Sequence, residues 1–161
     1  MVKSWTNRCV LFIIPLMQTP DFLRTTALFS TLNGNELNLV ARAMDDLFLP
    51  EGARPVEEGQ PNNRLYVIFD GHVELKGMGT DGKERTLAIL TSKDCFGEST
   101  LSPAAPSLVT AEVTLGDARL LAIPGDSIRR LIRLTPEIGV GLLVGAFARV
   151  QQLQRLAVLQ S

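Results

Sequence analysis

Asp94-Cys95-Phe96-Gly97-Glu98-Ser99-Thr100-Leu101, followed shortly by Pro106-Ser107-Leu108-Val109-Thr110-Ala111, is the stretch on which the reading of this chain turns. A glycine at position 97 lets the backbone come close to a bound group. Ser99, Thr100 and Leu101 then begin a single helical turn, whose first N–H groups have no partner within the turn and can meet an anion. The second segment carries no Lys or Arg, because Pro106 is followed by Ser107 and Leu108.

Around this loop the chain reads in strands. Residues 65–69, 72–76, 86–90, 110–113 and 119–123 are short β-branched or aromatic runs separated by Gly, Pro and Asp, the pattern of a sandwich or barrel. Asp70-Gly71 and Asp81-Gly82 each set a φ-permissive glycine between two runs, which predicts two antiparallel hairpins.

Helices flank the strands. Asn33 with Glu36 three residues later is a capping signal, and Leu37, Val40, Ala41 and Met44 form an apolar stripe behind it. Pro124-Gly125-Asp126-Ser127 opens a second helix with Ile128, Leu131 and Ile132 on one side. Thr135-Pro136-Glu137 opens a third that runs to about Leu159. Its Leu142, Leu143, Phe147, Val150, Leu153, Leu156 and Leu159 make an apolar surface too wide to stay uncovered, and a two-fold homodimer is the common way to close one.

Length and composition narrow the classes. With 161 residues and 45% hydrophobic content, the chain can bury one core. Residues 34–98 hold twelve acids against seven Lys and Arg, while residues 118–161 hold six Arg against two acids. That excess is a solvated helix face rather than the strongly basic domain a nucleic acid needs. Cys9 and Cys95 match no zinc spacing or disulfide framework, which suits a reduced, cytoplasmic protein. The apolar run over residues 9–17 contains Pro15 and is too short to cross a bilayer as a helix. No small-residue cleavage site follows it, and Gln18-Thr19-Pro20-Asp21 reads as a turn, so a segment packed on the domain or on a neighbouring subunit is expected.

Leu28-Phe29-Ser30-Thr31-Leu32 before a capped helix, Glu57-Glu58-Gly59-Gln60 before a strand, Leu65-Tyr66-Val67-Ile68 leading into Gly71-His72-Val73-Glu74-Leu75, and then Phe96-Gly97-Glu98 together resemble the cyclic-nucleotide-binding family in order and spacing. The likeness is to its catabolite-activator-like sensor domains and covers residues 28–160. It implies a mainly β fold with flanking α-helices: an eight-stranded jelly-roll barrel (double-stranded β-helix) with a short N-terminal helix and a long C-terminal helix. Residues 1–27 then form a partly apolar N-terminal segment, and residues 28–161 the domain.

For the site, the resemblance implies cyclic AMP or cyclic GMP as ligand. Glu98 would accept a hydrogen bond from the ribose 2′-hydroxyl; Gly97, Ser99 and Thr100 would meet the phosphate; Val73 and Leu87 would form the wall against the purine. Ser107 stands where the family has its phosphate-binding arginine, and Leu108 where a small residue is usual. A charge-assisted hydrogen bond to an anion contributes about 1.5–3 kcal/mol, so cyclic nucleotide binding is expected to be weakened about ten- to a hundred-fold. Arg54, Arg64 and Arg85 are the cations a neighbouring strand could bring in. Arg149, Gln151 and Gln152 fit solvated helix positions better than base contacts.

Other chemistries find little support. His72 is the sole histidine, too few for a metalloenzyme barrel. Cys95 reads as a small buried hydrophobe. Nucleophile-elbow, Walker A and HExxH motifs are absent, and the chain is read as a non-enzyme. It stops at Ser161 without room for the helix-turn-helix domain that many relatives carry, so direct DNA binding is not expected, and a separate effector protein would receive the signal. Two functions fit: a regulatory module sensing a cyclic nucleotide or related ligand, or a degenerate domain acting as a dimerisation or protein-interaction scaffold, with Phe96 and Gly97 kept as a barrel corner for folding.

Overall fold

A computed structural model describes residues 18–102 and 105–159. In chain order these form α1 (Gln18–Arg24), α2 (Gly34–Arg42), β1 (Asp45–Leu49), β2 (Arg64–Met78), β3 (Glu84–Leu90), β4 (Cys95–Phe96), a 3-10 turn (Glu98–Leu101), β5 (Thr110–Pro124), α3 (Gly125–Leu134) and α4 (Pro136–Leu159). The class is mainly β with flanking helices. The strands pair antiparallel in the order β1-β5-β2-β3, with β4 on β2.

The expected fold class holds, but the strands are fewer than the eight expected and the sheet does not close into a barrel. Five strands are present among the described residues, and the hydrogen-bonded path ends at β1 and β3 without closing. The count falls because β2 and β5 are each 15 residues long and each absorbs two of the runs read separately in the sequence. Asp70-Gly71 is consequently a bend inside β2 rather than a hairpin. The β2–β5 register shifts on either side of Asp70, and Gly71 has φ of 108°. A Cβ at Gly71 would lie 2.8 Å from the Ala118 Cα, too close for any side chain. Strand β5 answers with Leu115 and Gly116, both at positive φ. Asp81-Gly82 does form the β2–β3 hairpin, with the Gly79 N–H donating to the Lys83 carbonyl at 2.9 Å.

The bends fold the two halves of the sheet onto each other. Successive residues of β2 therefore enter different cores: Leu65 and Val67 pack with the helices, while Tyr66 and Ile68 pack between the sheet halves with Val73, Leu75, Leu90, Phe96 and Leu120. Burial on both faces is why residues 65–68 are apolar without alternation.

The helical core joins α1, α2, α3 and the start of α4 through Leu23, Phe29, Leu37, Val40, Ile128, Ile138 and Leu142. Residues 18–24 are helical where a turn was expected, because a proline in the first turn is tolerated, and Leu23 is fully buried. Helix α2 starts where its cap predicts: Asn33 Oδ1 accepts from the Glu36 N–H at 3.0 Å, and Glu36 Oε2 accepts from the Asn33 N–H at 2.8 Å. Met44 lies beyond its end. Helix α4 crosses the Leu28 backbone at Gly141, where a Cβ would overlap the Leu28 carbonyl oxygen. The apolar run at residues 9–17, with Cys9, lies outside the described residues.

On the outer face of β2, β3 and β5, Arg54 donates to Glu112 at 2.6 Å and to Glu84 at 3.1 Å, and Lys76 donates to Glu112 at 3.2 Å. Burial alone would raise the Glu112 carboxyl, but the hydrogen bonds from Lys76 and Arg54 hold it below its ordinary 4.5. A depressed carboxylate stabilises the fold fully above its unfolded value, and that contribution is lost as pH falls through the folded value. Glu112→Gln should therefore be less stable than wild type in urea at pH 7. The gap should close once the pH is well below 4.5; a gap that is constant with pH would contradict this assignment.

Candidate functional site

The bend between β4 and the 3-10 turn creates the candidate site. Gly97 has φ of 87°, and a Cβ there would sit 2.6 Å from the Arg64 carbonyl oxygen. Only glycine allows Phe96 to enter the core while Glu98 and Ser99 turn outward. Asn62 fastens the turn: its side-chain amide donates to the carbonyls of Arg64 at 2.9 Å and Gly97 at 2.8 Å, and lies 3.3 Å from Ser99 Oγ. Beneath it, Phe96 stacks on Tyr66 with ring centroids 4.9 Å apart. Burial of Tyr66 pushes its phenol up from the ordinary value, so the hydroxyl stays protonated.

The second wall is the segment at residues 105–109. The Ser107 N–H donates to the Gln60 carbonyl at 3.0 Å, and the Ser107 carbonyl accepts from the Gly59 N–H at 2.8 Å. The Glu57-to-Gln60 turn thus holds the loop in place. The Ser107 hydroxyl donates to the Val109 carbonyl at 2.7 Å. Ser107 is buried, whereas Leu108 is 83% exposed.

Between the two walls lies a cavity of about 500 Å³, within the range of small-ligand sites. Val56, Leu75, Phe96 and Ala111 form its floor, Leu87 and Ala88 of β3 one side, and Glu98, Ser99 and residues 105–109 the rim. Glu98 is the sole ionisable residue of this lining.

Gly97, Glu98, Ser99, Ser107, Leu108 and Leu87 all line the cavity. Two other sequence candidates do not. Val73 is fully buried in the inter-sheet core, and Leu75, one alternation further along β2, takes the wall position. Thr100 is buried beneath the turn against Gly125, its Oγ1 without a hydrogen-bond partner. The Thr100 carbonyl accepts from Arg129 Nη1 of α3 at 2.5 Å, and Arg129 also pairs with Asp126, so the turn is tied directly to α3.

The arginines considered as substitutes lie elsewhere. Arg54 is held by Glu112 and Glu84, Arg85 by Asp81 at 2.6 Å, and Arg64 is outside the lining. On α4, Gln151 is exposed; the side chains of Arg149 and Gln152 lie outside the described residues. Sequence reasoning passed over Asn62 and Arg129. Asn62 follows Pro61 and reads as an ordinary turn residue, and its partner Gly97 is 35 positions away. Arg129 looks like one more solvated helix charge.

Among the described residues no group of His, Cys, Asp or Glu is arranged to hold a metal ion. No single described helix is long and apolar enough to cross a membrane.

Comparison with known proteins follows the same outline. Residues 47–134, more than half of the chain, match the family model described as the cyclic nucleotide-binding domain. The CRP-like cAMP-activated global transcriptional regulator of Mycobacterium tuberculosis is 28% identical over 123 residues, covering 76% of this chain and 54% of that protein. The chain thus spans about half the length of the curated relatives it matches. The crystal structure of Thermus thermophilus catabolite activator protein superimposes with a TM-score of 0.73 at 27% identity, over 84% of this chain and 63% of that one. The N-terminal domain of a transcriptional regulator from Streptomyces coelicolor A3(2) gives a TM-score of 0.66 at 29% identity, over 82% of this chain and 94% of that one.

Proposed function

The chain belongs to the cyclic nucleotide-binding domain family, and from that premise we propose that it is a regulatory ligand-sensing module whose cavity takes a cyclic nucleotide or a related small ligand with weakened affinity for phosphate. The observation that carries this reading is the cavity itself: the Phe96-Gly97-Glu98-Ser99 turn and the Ser107 loop enclose one space, with a carboxylate and no cation on its lining. Glu98 accepts a ribose hydroxyl, the apolar floor takes the base, and the first N–H groups of the 3-10 turn carry what remains of the phosphate site. Movement of the turn reaches α3 through the Arg129–Thr100 bond, and α4 lies next in the chain. We place the protein in the cytoplasm, in a non-enzymatic role, passing its state to a separate effector protein.

The test is thermal unfolding with millimolar cyclic AMP and cyclic GMP. At least one should raise the melting temperature of the wild type, and Glu98→Ala should abolish the rise. An unchanged wild type would favour the second reading, a dimerisation or protein-interaction scaffold.

The scaffold reading would draw on α4. Ile138 and Leu142 are buried near its start, while Val140, Leu143, Val144, Phe147 and Val150 are exposed, Phe147 by 65%. A second copy packed along α4 would cover them, and homodimerisation belongs to both readings. Light scattering should give a dimer at micromolar concentration, and Leu143→Glu with Phe147→Glu should give a monomer. A monomeric wild type would rule this interface out.

A further inference from the structure

Ten of the fourteen residues that line the cavity are hydrocarbon, among them Val56, Leu75, Phe96 and Ala111 of the floor. Of the other four, Gly97 has no side chain, and the polar ones are already engaged in the fold. The Ser107 hydroxyl donates to the Val109 carbonyl at 2.7 Å, Ser99 Oγ accepts from the Asn62 amide at 3.3 Å, and Glu98 Oε1 has Cys95 Sγ 3.9 Å away. The hydrocarbon, by contrast, is only partly covered. Leu87 on the β3 side and Leu108 on the rim are 48% and 83% exposed. Apolar surface gathered on a concave site is surface that a ligand can remove from water.

Taking the cavity as the ligand site, as above, but without depending on a nucleotide, we propose that it accepts an uncharged, largely hydrocarbon molecule of two or three aromatic rings. This ligand carries neither sugar nor phosphate and competes with a nucleotide for the same space.

Charge is excluded from both directions. An anion finds no Lys, Arg or His on the lining, and a cation would have to draw Glu98 away from the partner it has. Either would leave water for walls that return little, which is the costly transfer. A neutral hydrocarbon needs no hydrogen bond from the site, and cavities with apolar walls take such molecules readily. Rings suit this cavity better than a flexible chain. Phe96 in the floor is held flat on Tyr66, with ring centroids 4.9 Å apart and planes 9° from parallel, so an aromatic ligand meets a partner already fixed in place. A rigid molecule also loses little conformational freedom on entry. The volume of about 500 Å³ has room for a molecule of this size.

The experiment titrates the full chain with N-phenyl-1-naphthylamine, an uncharged dye of three aromatic rings whose fluorescence rises when it leaves water. One dye should bind per chain, with a dissociation constant of about 100 μM or below. Leu87→Glu and Leu108→Glu each put a carboxylate at an exposed cavity position and leave the core intact. Each should keep a native amide spectrum and weaken dye binding at least about tenfold. Leu143→Glu with Phe147→Glu, on the exposed side of α4, should leave the dye titration unchanged. Binding lost in the α4 variant and kept in both cavity variants would put the dye on α4 and overturn the proposal. A wild type that binds no dye would overturn it equally. Cyclic AMP and cyclic GMP in the melting assay separate the two readings. Stabilisation by either without dye binding removes this proposal and leaves the nucleotide reading. Dye binding that depends on Leu87 and Leu108, with no stabilisation, upholds the proposal and removes the nucleotide. The absence of both removes both. Where both bind, the nucleotide should displace the dye, and simultaneous binding would overturn the shared space.

Discussion

Ser107→Arg is expected to tighten binding of cyclic AMP or cyclic GMP by about ten- to a hundred-fold, the value of about 1.5–3 kcal/mol for one charge-assisted hydrogen bond to an anion. The position lies on the loop facing the 3-10 turn across the cavity, so a guanidinium there would meet the group that Glu98 and Ser99 approach from the other side. The change has a cost. Ser107 is 3% exposed, and its hydroxyl both donates to the Val109 carbonyl at 2.7 Å and accepts from the Val109 N–H at 3.3 Å. Losing that local turn should lower stability by about 1 kcal/mol, somewhat less than the ion pair contributes to ligand binding. The neighbouring Leu108 side chain is 83% exposed, so the loop has solvent on one side and room for a longer residue. Isothermal titration of wild type and variant, each shown folded by its amide spectrum, decides the matter. A folded variant with unchanged affinity would mean that the cavity does not present this loop to a phosphate.

The parts of the molecule that were legible in the sequence are those whose causes are local. The α2 cap is written in Asn33 and Glu36, both partners lying within one turn. The start of α4 is written in Thr135-Pro136-Glu137. The order of motifs around Phe96-Gly97-Glu98 was by itself enough to imply the family. What stayed hidden depends on residues far apart in the chain. Asp70-Gly71 and Asp81-Gly82 look alike as dipeptides, yet one bends a continuous strand and the other closes a hairpin. The difference is made by Ala118 of β5, which lies against Gly71 and keeps β2 paired through the bend.

Leu75 of the cavity wall was missed for a related reason. Val73 and Leu75 lie on the same side of β2, and alternation cannot say which of them falls beneath the opening. The bend at Gly71 sets that choice: Val73 sits deep in the core close to it, and Leu75 reaches the cavity. The surroundings of Ser107 were equally illegible. The resemblance implies that Ser107 stands where the family has its arginine, but only the fold shows Arg54 and Arg85 already held in ion pairs.

Gly97→Ala should produce the largest loss of stability at the site, and it separates the folding role of this corner from its binding role. Two costs combine there. The residue sits at φ of 87°, a conformation that costs an L side chain about 1–3 kcal/mol. The new Cβ would also lie 2.6 Å from the backbone oxygen of Arg64, which cannot rotate away. The total should be about 2–4 kcal/mol, in the range of other strained backbone sites, and the displaced turn should release the Asn62 bond to the Gly97 carbonyl. Gly82 is the control. It has φ of 75°, and a Cβ added there would meet nothing within 4 Å, so Gly82→Asn should cost about 1 kcal/mol or less, Asn being tolerant of this region. Urea denaturation measures both. If Gly97→Ala costs no more than Gly82→Asn, the close approach to Arg64 is not what fixes glycine at this position. If Gly97→Ala is strongly destabilised yet still responds to ligand as wild type does, Gly97 serves the fold as a corner after β4 and the cavity does not depend on its geometry.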